Sequence, residues 1–223
     1  YRDILWDPSK YINVVLYNFS DDLVLGIAQF PWLPEPFEMD GISQVKKGAN
    51  LNENPYPQCV SINNKYIYDI PKGANGYSMS NVVATLSHEL GHFLGLYHAF
   101  NQLLNGNTNS NEDSDYCTDT PPYNKYRYDV ALTNYLTHYG DITSTTSDGY
   151  EEFVMRTNSK TGEQFRSTNI MDYAVSDANA FTTQQAERVK YILHHAVFVP
   201  GPKDYTGTDF TTTRNSTSDF RFT

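Results

Sequence analysis

Short runs of apolar and β-branched residues dominate the first third of the chain, and such runs are typical of strands. They predict four strands, at residues 11–19, 24–30, 59–62 and 66–70. Pro31 ends the second run, because proline lacks the backbone N–H that a sheet needs. Five prolines fall within residues 31–58, so most of that stretch is predicted to be loop.

A helical period replaces this pattern after residue 80. Apolar residues recur every three or four positions through VVATLSHELGHFLGL, and Ser80-Asn81 offers an N-cap before it. Gly95 favours an end to the helix, since glycine adopts positive φ at little cost. The pattern therefore predicts one amphipathic helix from Val82 to the turn at Gly95.

The second half of the chain has a weaker pattern until its last helix. The predicted elements are a loop at 101–125, a short helix at 129–138, and a hairpin formed by 151–156 and 163–166. Thr182 and Gln185 are spaced as a capping box, and apolar residues follow at helical spacing. A helix is therefore predicted to begin at Thr182.

The chemically informative motif is HELGHFLGLYH at residues 88–98. His88 and His92 are four residues apart, so on a helix both imidazoles face the same side and reach one ion. Glu89 lies beside them, too close in sequence for an easy third ligand and well placed to hold a metal-bound water. A turn at Gly95 brings His98 back as a third ligand. Three protein ligands leave a fourth position open, as in catalytic zinc sites.

Composition narrows the function classes. The 223 residues suffice for one sizeable domain, or one domain in two lobes. The 16 Lys and Arg against 26 Asp and Glu give a net charge of −10, which argues against nucleic-acid binding. No apolar run approaches the roughly 18 residues that span a bilayer. Cys59 and Cys117 form either one disulfide or two buried thiols, and a start at Tyr1 indicates a trimmed or mature segment.

The motif resembles the signature of the metzincin zinc endopeptidases, H-E-x-x-H-x-x-G-x-x-H followed by a methionine turn. The segment NIMDY at 169–173 is the candidate turn. Within that clan the chain is similar to the pappalysin family in LGHFLGLY of the helix, DTP at 119–121, GIAQFP at 26–31 and FT at 181–182 before QQAER. This likeness covers roughly residues 11–193.

The resemblance implies an α+β, metzincin-like fold. We expect an upper subdomain with a twisted mixed β-sheet and the zinc-binding helix, an irregular lower subdomain with a C-terminal helix, and an active-site cleft between them. Residues 1–223 form a single catalytic domain in this interpretation: upper subdomain 1–98, lower subdomain 99–200 and polar tail 201–223. The chain departs from the family in having no cysteine around the methionine turn, and in a long segment at 141–168.

The resemblance also implies a secreted or cell-envelope zinc endopeptidase acting on proteins or peptides. The three histidines of the motif hold zinc, and Met171 forms an apolar floor beneath them. Glu89 is the general base for a zinc-bound water. Tyr173 hydrogen-bonds the oxyanion that develops during hydrolysis.

Two further site predictions follow from the resemblance. Asp177 is similar in position to an acid that lines the pocket for the residue just after the scissile bond, where it favours Arg or Lys. The alternative is a solvated loop aspartate. In the acidic loop after His98, Asp115, Asp119 and Thr120 are candidate calcium ligands. An acidic loop without a bound ion is the alternative there.

Two other functions are compatible with the motif. One is a catalytically silent binding module that uses zinc only for folding. Glu89 argues against it, because a structural zinc site needs no base. The other is a zinc hydrolase that acts on something other than peptides, which a peptide-cleavage experiment distinguishes.

Overall fold

The computed structural model describes residues 4–46, 57–103 and 106–203. In these ranges the strands are β1 (Val14–Tyr17), β2 (Gly26–Ala28), β3 (Trp32–Pro34), β4 (Ser43–Val45), β5 (Val60–Asn63), β6 (Met155–Thr157) and β7 (Gln164–Arg166). The helices are α1 (Val82–Phe93), α2 (Lys125–Tyr139), α3 (Asp148–Phe153) and α4 (Thr183–His195). No helix in these ranges is long and apolar enough to cross a membrane.

A three-stranded mixed sheet forms the first part of the fold, in the order β1-β5-β2. Strand β5 is parallel to β1 and antiparallel to β2, so Val60 lies beside Val14 on one side and Ala28 on the other. Every residue of β5 is buried, as expected of a central strand that carries Val60 and Ile62. The predicted mixed sheet is thereby confirmed.

Helix α1 packs against β2 and β5. The side chain of Asn81 accepts a hydrogen bond from the N–H of Val83 and starts the helix. At the other end the chain turns at Gly95, whose φ of +86° suits a glycine. Both predicted ends of this helix are confirmed, and the turn sends the chain after α1 back towards the helix.

Two apolar clusters make up most of the core. The first joins the sheet, α1 and the end of α4 through Leu33, Ile42, Val60, Ile62, Phe93, Ile192, Ala196 and Val199. The second joins α2, α3 and the strand after it through Leu132, Ile142, Tyr150, Phe153, Val154 and Val175. The small mixed sheets and the helices confirm the predicted α+β fold, whereas the bounds of its two subdomains stay a prediction.

One prediction in the first third was wrong, and another needs an addition. The stretch 31–58, predicted to be mostly loop, also contains β3 and β4, which pair in parallel; residues 47–56 lie outside the described ranges. Residues 66–70 were expected to form a strand, but a 3-10 helix at Asn64–Tyr66 and turns occupy this region. The side chain of Asn63 accepts a hydrogen bond from the N–H of Lys65 and favours the turn over an extended chain.

In the second half the predicted elements are present with shifted ends. Helix α2 begins at Lys125, before the predicted 129, because Asn124 caps it by accepting from the N–H of Arg127. The first half of the predicted strand 151–156 belongs to α3, and only β6 pairs with β7 as a hairpin. The capping box at Thr182 is confirmed. Most of the predicted tail, residues 204–223, lies outside the described ranges.

The cysteine alternatives are decided in favour of thiols. Cys59 and Cys117 are both free and both buried. Burial raises the pKa of each thiol, to about 12 for Cys117, so both are unreactive at neutral pH.

Candidate active site

Three histidine side chains meet at the end of α1. His88 and His92 lie one helical turn apart on the same face, and the turn at Gly95 returns His98 to them. One ligand nitrogen from each ring lies within 4.8 Å of the other two, and the Nε2 atoms of His92 and His98 are 3.1 Å apart. Among the described residues, these form the only group of three or more candidate metal ligands.

Each of these rings has its other nitrogen engaged. The Nδ1 atoms of His88, His92 and His98 lie 2.8 Å from the carbonyl oxygens of Ile170, Leu96 and the Gln102 side chain, respectively. A carbonyl oxygen accepts, so each Nδ1 carries the proton and each Nε2 keeps its lone pair for a metal. The donor set therefore fits zinc, which takes neutral imidazole nitrogens.

Burial keeps the three imidazoles neutral. It lowers the pKa of His88, and it lowers that of His98 further because the other two rings lie close by. Burial, together with the nearby His88 ring, lowers the pKa of His92 to about 4. Neutral rings are the form that binds a cation, so the local electrostatics suit a metal site.

Glu89 lies on α1 with its side chain buried, 7% exposed. Burial raises the pKa of its carboxyl group to about 7, close to the value that suits a general base at neutral pH. The carboxyl packs over Gly26 of strand β2, where an added Cβ would lie 2.5 Å from Glu89 Cγ. Gly26 begins the GIAQFP segment, and its place inside a predicted strand is the sequence signal for a close approach of this kind.

Met171 lies beneath the helix that carries two of the histidines. It is fully buried, packs with Leu96 and Ala99, and contacts Gly91 so closely that no Cβ fits there. Its carbonyl oxygen accepts a hydrogen bond from the N–H of Ala99 at 3.0 Å. The methionine turn thus tethers the segment next to His98 as well as filling the space under the helix.

Tyr173 borders the histidine cluster. Its ring centroid is 4.8 Å from that of His98 and 5.5 Å from that of His88. Burial, with the nearby Glu89 carboxylate, raises the pKa of its phenol to about 12, so it stays protonated and able to donate. The side chain is still 44% exposed, which leaves it open to an incoming ligand.

A buried ion pair holds the backbone on either side of Tyr173. The guanidinium of Arg156 lies 3.1 Å from the carboxylate of Asp172, and both side chains are almost fully buried. The same guanidinium donates to the carbonyl oxygens of Tyr173 and Val175, at 3.3 and 2.9 Å. The hydroxyl of Ser167 also donates a hydrogen bond to the Asp172 carboxylate, so this buried carboxylate has a hydrogen-bond donor in addition to its ion-pair partner.

Asp177 is already paired inside the chain. Arg166 donates to its carboxylate through Nε at 2.6 Å, and the hydroxyl of Tyr150 donates to the other oxygen. Burial opposes ionisation of Asp177, but these two donors outweigh it and lower the pKa. Arg166 also forms an ion pair with Glu151, with its Nη1 atom 3.0 Å from Glu151 Oε2.

The three candidate calcium ligands, Asp115, Asp119 and Thr120, form hydrogen bonds with other groups of the chain. Asp115 accepts from the N–H of Cys117 at 2.9 Å and from the hydroxyl of Thr120. Asp119 accepts from the N–H of Gln184, in the first turn of α4. Burial raises the pKa of Asp115 to about 7. These contacts give no support to a calcium site, which stays a prediction.

The fold and the histidine site together define the class as a metzincin-type zinc peptidase. The model of the peptidase M43 family, described as pregnancy-associated plasma protein-A, matches residues 2–194. The chain therefore belongs to this family, the pappalysins, whose members are classed as metallopeptidases.

Relatives are distant in sequence. Pappalysin-1 of Mus musculus is 28% identical over 131 residues, which is 55% of this chain and 6% of that protein. Two solved structures of Tannerella forsythia proteins are each 21% identical to this chain: mature mirolysin in complex with a cleaved peptide, and a promirolysin mutant. The match to mature mirolysin covers 83% of this chain and 53% of that chain, with a TM-score of 0.45. The match to the promirolysin mutant covers 85% of this chain and 48% of that chain, with a TM-score of 0.46. The chain thus spans only part of each relative.

Proposed function

We propose that this chain hydrolyses peptide bonds with a zinc ion held by His88, His92 and His98. The observation that carries the proposal is the hydrogen-bonding of the three Nδ1 atoms, which leaves each Nε2 lone pair available while the three rings offer ligand nitrogens within 4.8 Å of one another. A purely structural zinc site has four protein ligands, and the described residues supply three here. The open position suits a reacting water or carbonyl group.

The chain's own residues have distinct tasks in this reaction. Zinc supplies a Lewis acid that polarises the substrate carbonyl and lowers the pKa of a bound water. The carboxylate of Glu89 takes the proton of the attacking water and passes it to the leaving amide nitrogen. The hydroxyl of Tyr173 donates a hydrogen bond to the carbonyl oxygen as negative charge develops on it. Met171 shapes the apolar floor that keeps the imidazoles in place.

A metal-binding experiment tests the triad. Zinc content is measured on dialysed protein for the parent, His98→Gln and His138→Gln. His138 is exposed and its Nδ1 contacts only the carbonyl oxygen of Asn134 in its own helix, so it is the matched control. The proposal expects one zinc in the parent and in the control, and loss of zinc in His98→Gln. Equal zinc in all three proteins contradicts the assigned ligands.

We further propose a preference for Arg or Lys just after the scissile bond, with Asp177 as the recognising acid. Arg166 competes for the same carboxylate, but it is partly exposed and has Glu151 as a second partner. A substrate guanidinium or ammonium group takes over the position of Arg166 at Asp177, while Arg166 stays with Glu151.

Cleavage of a mixed peptide library tests the preference. The parent is expected to cut before Arg or Lys, Asp177→Asn to lose the preference, and Arg166→Gln to strengthen it. Cleavage before other residues in the parent leaves the peptidase proposal intact and contradicts the role of Asp177. Zinc-loaded parent that cuts no peptide favours the silent binding module.

We also propose, from family membership alone, that the protein acts outside the cytoplasm, secreted or held at the cell envelope. Fractionation of the source cells, followed by immunodetection, tests this. Detection only in the cytoplasmic fraction contradicts it.

A further inference from the structure

A buried lysine lies against the ring of Tyr173, which borders the histidine cluster. Lys125 is the first residue of α2, and its side chain is only 7% exposed. Its ammonium group pairs with the carboxylate of Asp129, one turn along the helix, whose side chain is 44% exposed. Lysine side chains are seldom buried, because the charge loses its water. The surroundings of Lys125 must therefore replace part of that solvation.

Aromatic rings provide this replacement. The Nζ atom lies 4.9 Å from the ring centroid of Tyr173, 5.4 Å from that of Phe100 and 5.9 Å from that of Tyr128. All three distances are within the range of cation–π attraction, which is stronger when the cation is desolvated. The shortest of them is to Tyr173, the ring that borders the histidines.

Tyr173 is fixed on its other sides by rings and by its backbone. Phe100 stacks on His98 with centroids 4.5 Å apart and meets the Tyr173 ring edge-on at 5.0 Å. The carbonyl oxygen of Tyr173 accepts from Arg156. With 44% of the residue exposed, packing alone leaves the ring room to turn away, and the ammonium group is a directional contact that opposes this.

We propose that Lys125 is a positioning residue for the peptidase reaction: its ammonium group holds the ring of Tyr173 so that the phenol hydroxyl reaches the reacting carbonyl. The proposal rests on the proposed function, since it assigns Lys125 a task through Tyr173. Lys125 touches neither zinc nor substrate in this account, and the Asp129 carboxylate serves to keep the ammonium group in place.

The experiment is a double-substitution cycle on zinc-loaded protein with a cleaved peptide. Lys125→Met keeps the length of the buried chain and removes the charge, and the partner Asp129 remains solvated. We expect kcat to fall about tenfold, the order expected when a desolvated cation–π contact is lost, with KM changed by less than about twofold. Lys125→Arg keeps a cation over the ring and should restore most of kcat.

The background Tyr173→Phe separates positioning from a structural role. It retains the ring and removes the hydroxyl, so adding Lys125→Met should lower kcat no further. Zinc content and the midpoint of thermal unfolding are recorded for every variant as readouts independent of turnover. Zinc content should be equal throughout.

Three results would overturn the proposal while leaving the peptidase function intact: unchanged kcat in Lys125→Met, an equal loss of kcat in both backgrounds, or loss of kcat only in proportion to lost zinc or lost fold. If the zinc-loaded parent itself does not cleave peptides, the proposed function fails, and that failure is visible before any Lys125 variant is compared. The two failures are thus distinguishable.

Discussion

The substitution Gly26→Ala tests how closely strand β2 packs against the side chain of Glu89, the proposed general base. An alanine Cβ at this position would lie 2.5 Å from Cγ of Glu89, and 2.9 Å from both Cδ and Oε1. The strand is held by its pairing with β5, with Gly26 opposite Ile62, so the glutamate side chain must move instead. We therefore expect Gly26→Ala to displace the carboxylate and leave the fold and the histidines in place.

The size of the effect follows from the overlap. Ordinary carbon contacts lie at about 3.5–4.0 Å, so Glu89 Cγ must retreat by roughly 1 Å or more. Misplacing a catalytic group by about 1 Å costs on the order of 100-fold in rate. Because the Nδ1 partners of the histidines are untouched, zinc binding should stay within about twofold of the parent.

The assay is kcat on a cleaved peptide, with zinc content measured on the same samples. Leu23→Ala is the control, since Leu23 precedes the strand and is 89% exposed. It should behave as the parent. Parent-like turnover in Gly26→Ala would refute the close fit, and loss of zinc together with turnover would show that the strand supports the metal site instead of the base.

Three further outcomes are expected. Gln102→Ala removes the hydrogen-bond acceptor of His98 Nδ1 and should weaken zinc binding by about 10- to 100-fold. The affinity is measured by competition with a chromophoric chelator, and an unchanged affinity contradicts a role of Gln102 in orienting His98. Arg156→Ala leaves the buried Asp172 carboxylate without its cation and should lower the free energy of unfolding by about 3–5 kcal/mol in urea; a loss below about 1 kcal/mol contradicts a buried pair. His92 has a folded-state pKa of about 4, below its ordinary 6.5, so its contribution to the stability of zinc-free protein is present above pH 6.5 and is lost as the pH falls towards 4. Relative to His92→Gln, zinc-free parent should lose up to about 3 kcal/mol over this range, and a constant difference contradicts the shift.

Local sequence signals predicted the elements that carry the histidines and α4. The period of α1, its Asn81 cap and the Gly95 turn all act between near neighbours, so the sequence alone predicts them. The capping box at Thr182 is local in the same way. These signals also predicted that His88, His92 and His98 face one point.

Elements set by distant contacts could not be predicted in this way. The pairing of β3 with β4 joins segments that have no strand pattern of their own. The start of α2 depends on one asparagine cap in a region with little apolar periodicity. Gly26 and Gln102 gain their importance from Glu89 and His98 in the folded chain. An isolated glycine within a strand pattern is the one local signal for Gly26, and the residues around Gln102 carry no such signal.

Turnover by Glu89→Gln tests the central claim most directly. The substitution keeps the size of the side chain and removes its ability to take a proton, so zinc content should equal that of the parent. We expect zinc-loaded parent to cleave peptide and kcat to fall by about 100- to 10,000-fold in Glu89→Gln. Parent-like cleavage by Glu89→Gln at full zinc occupancy would contradict the assignment of the base.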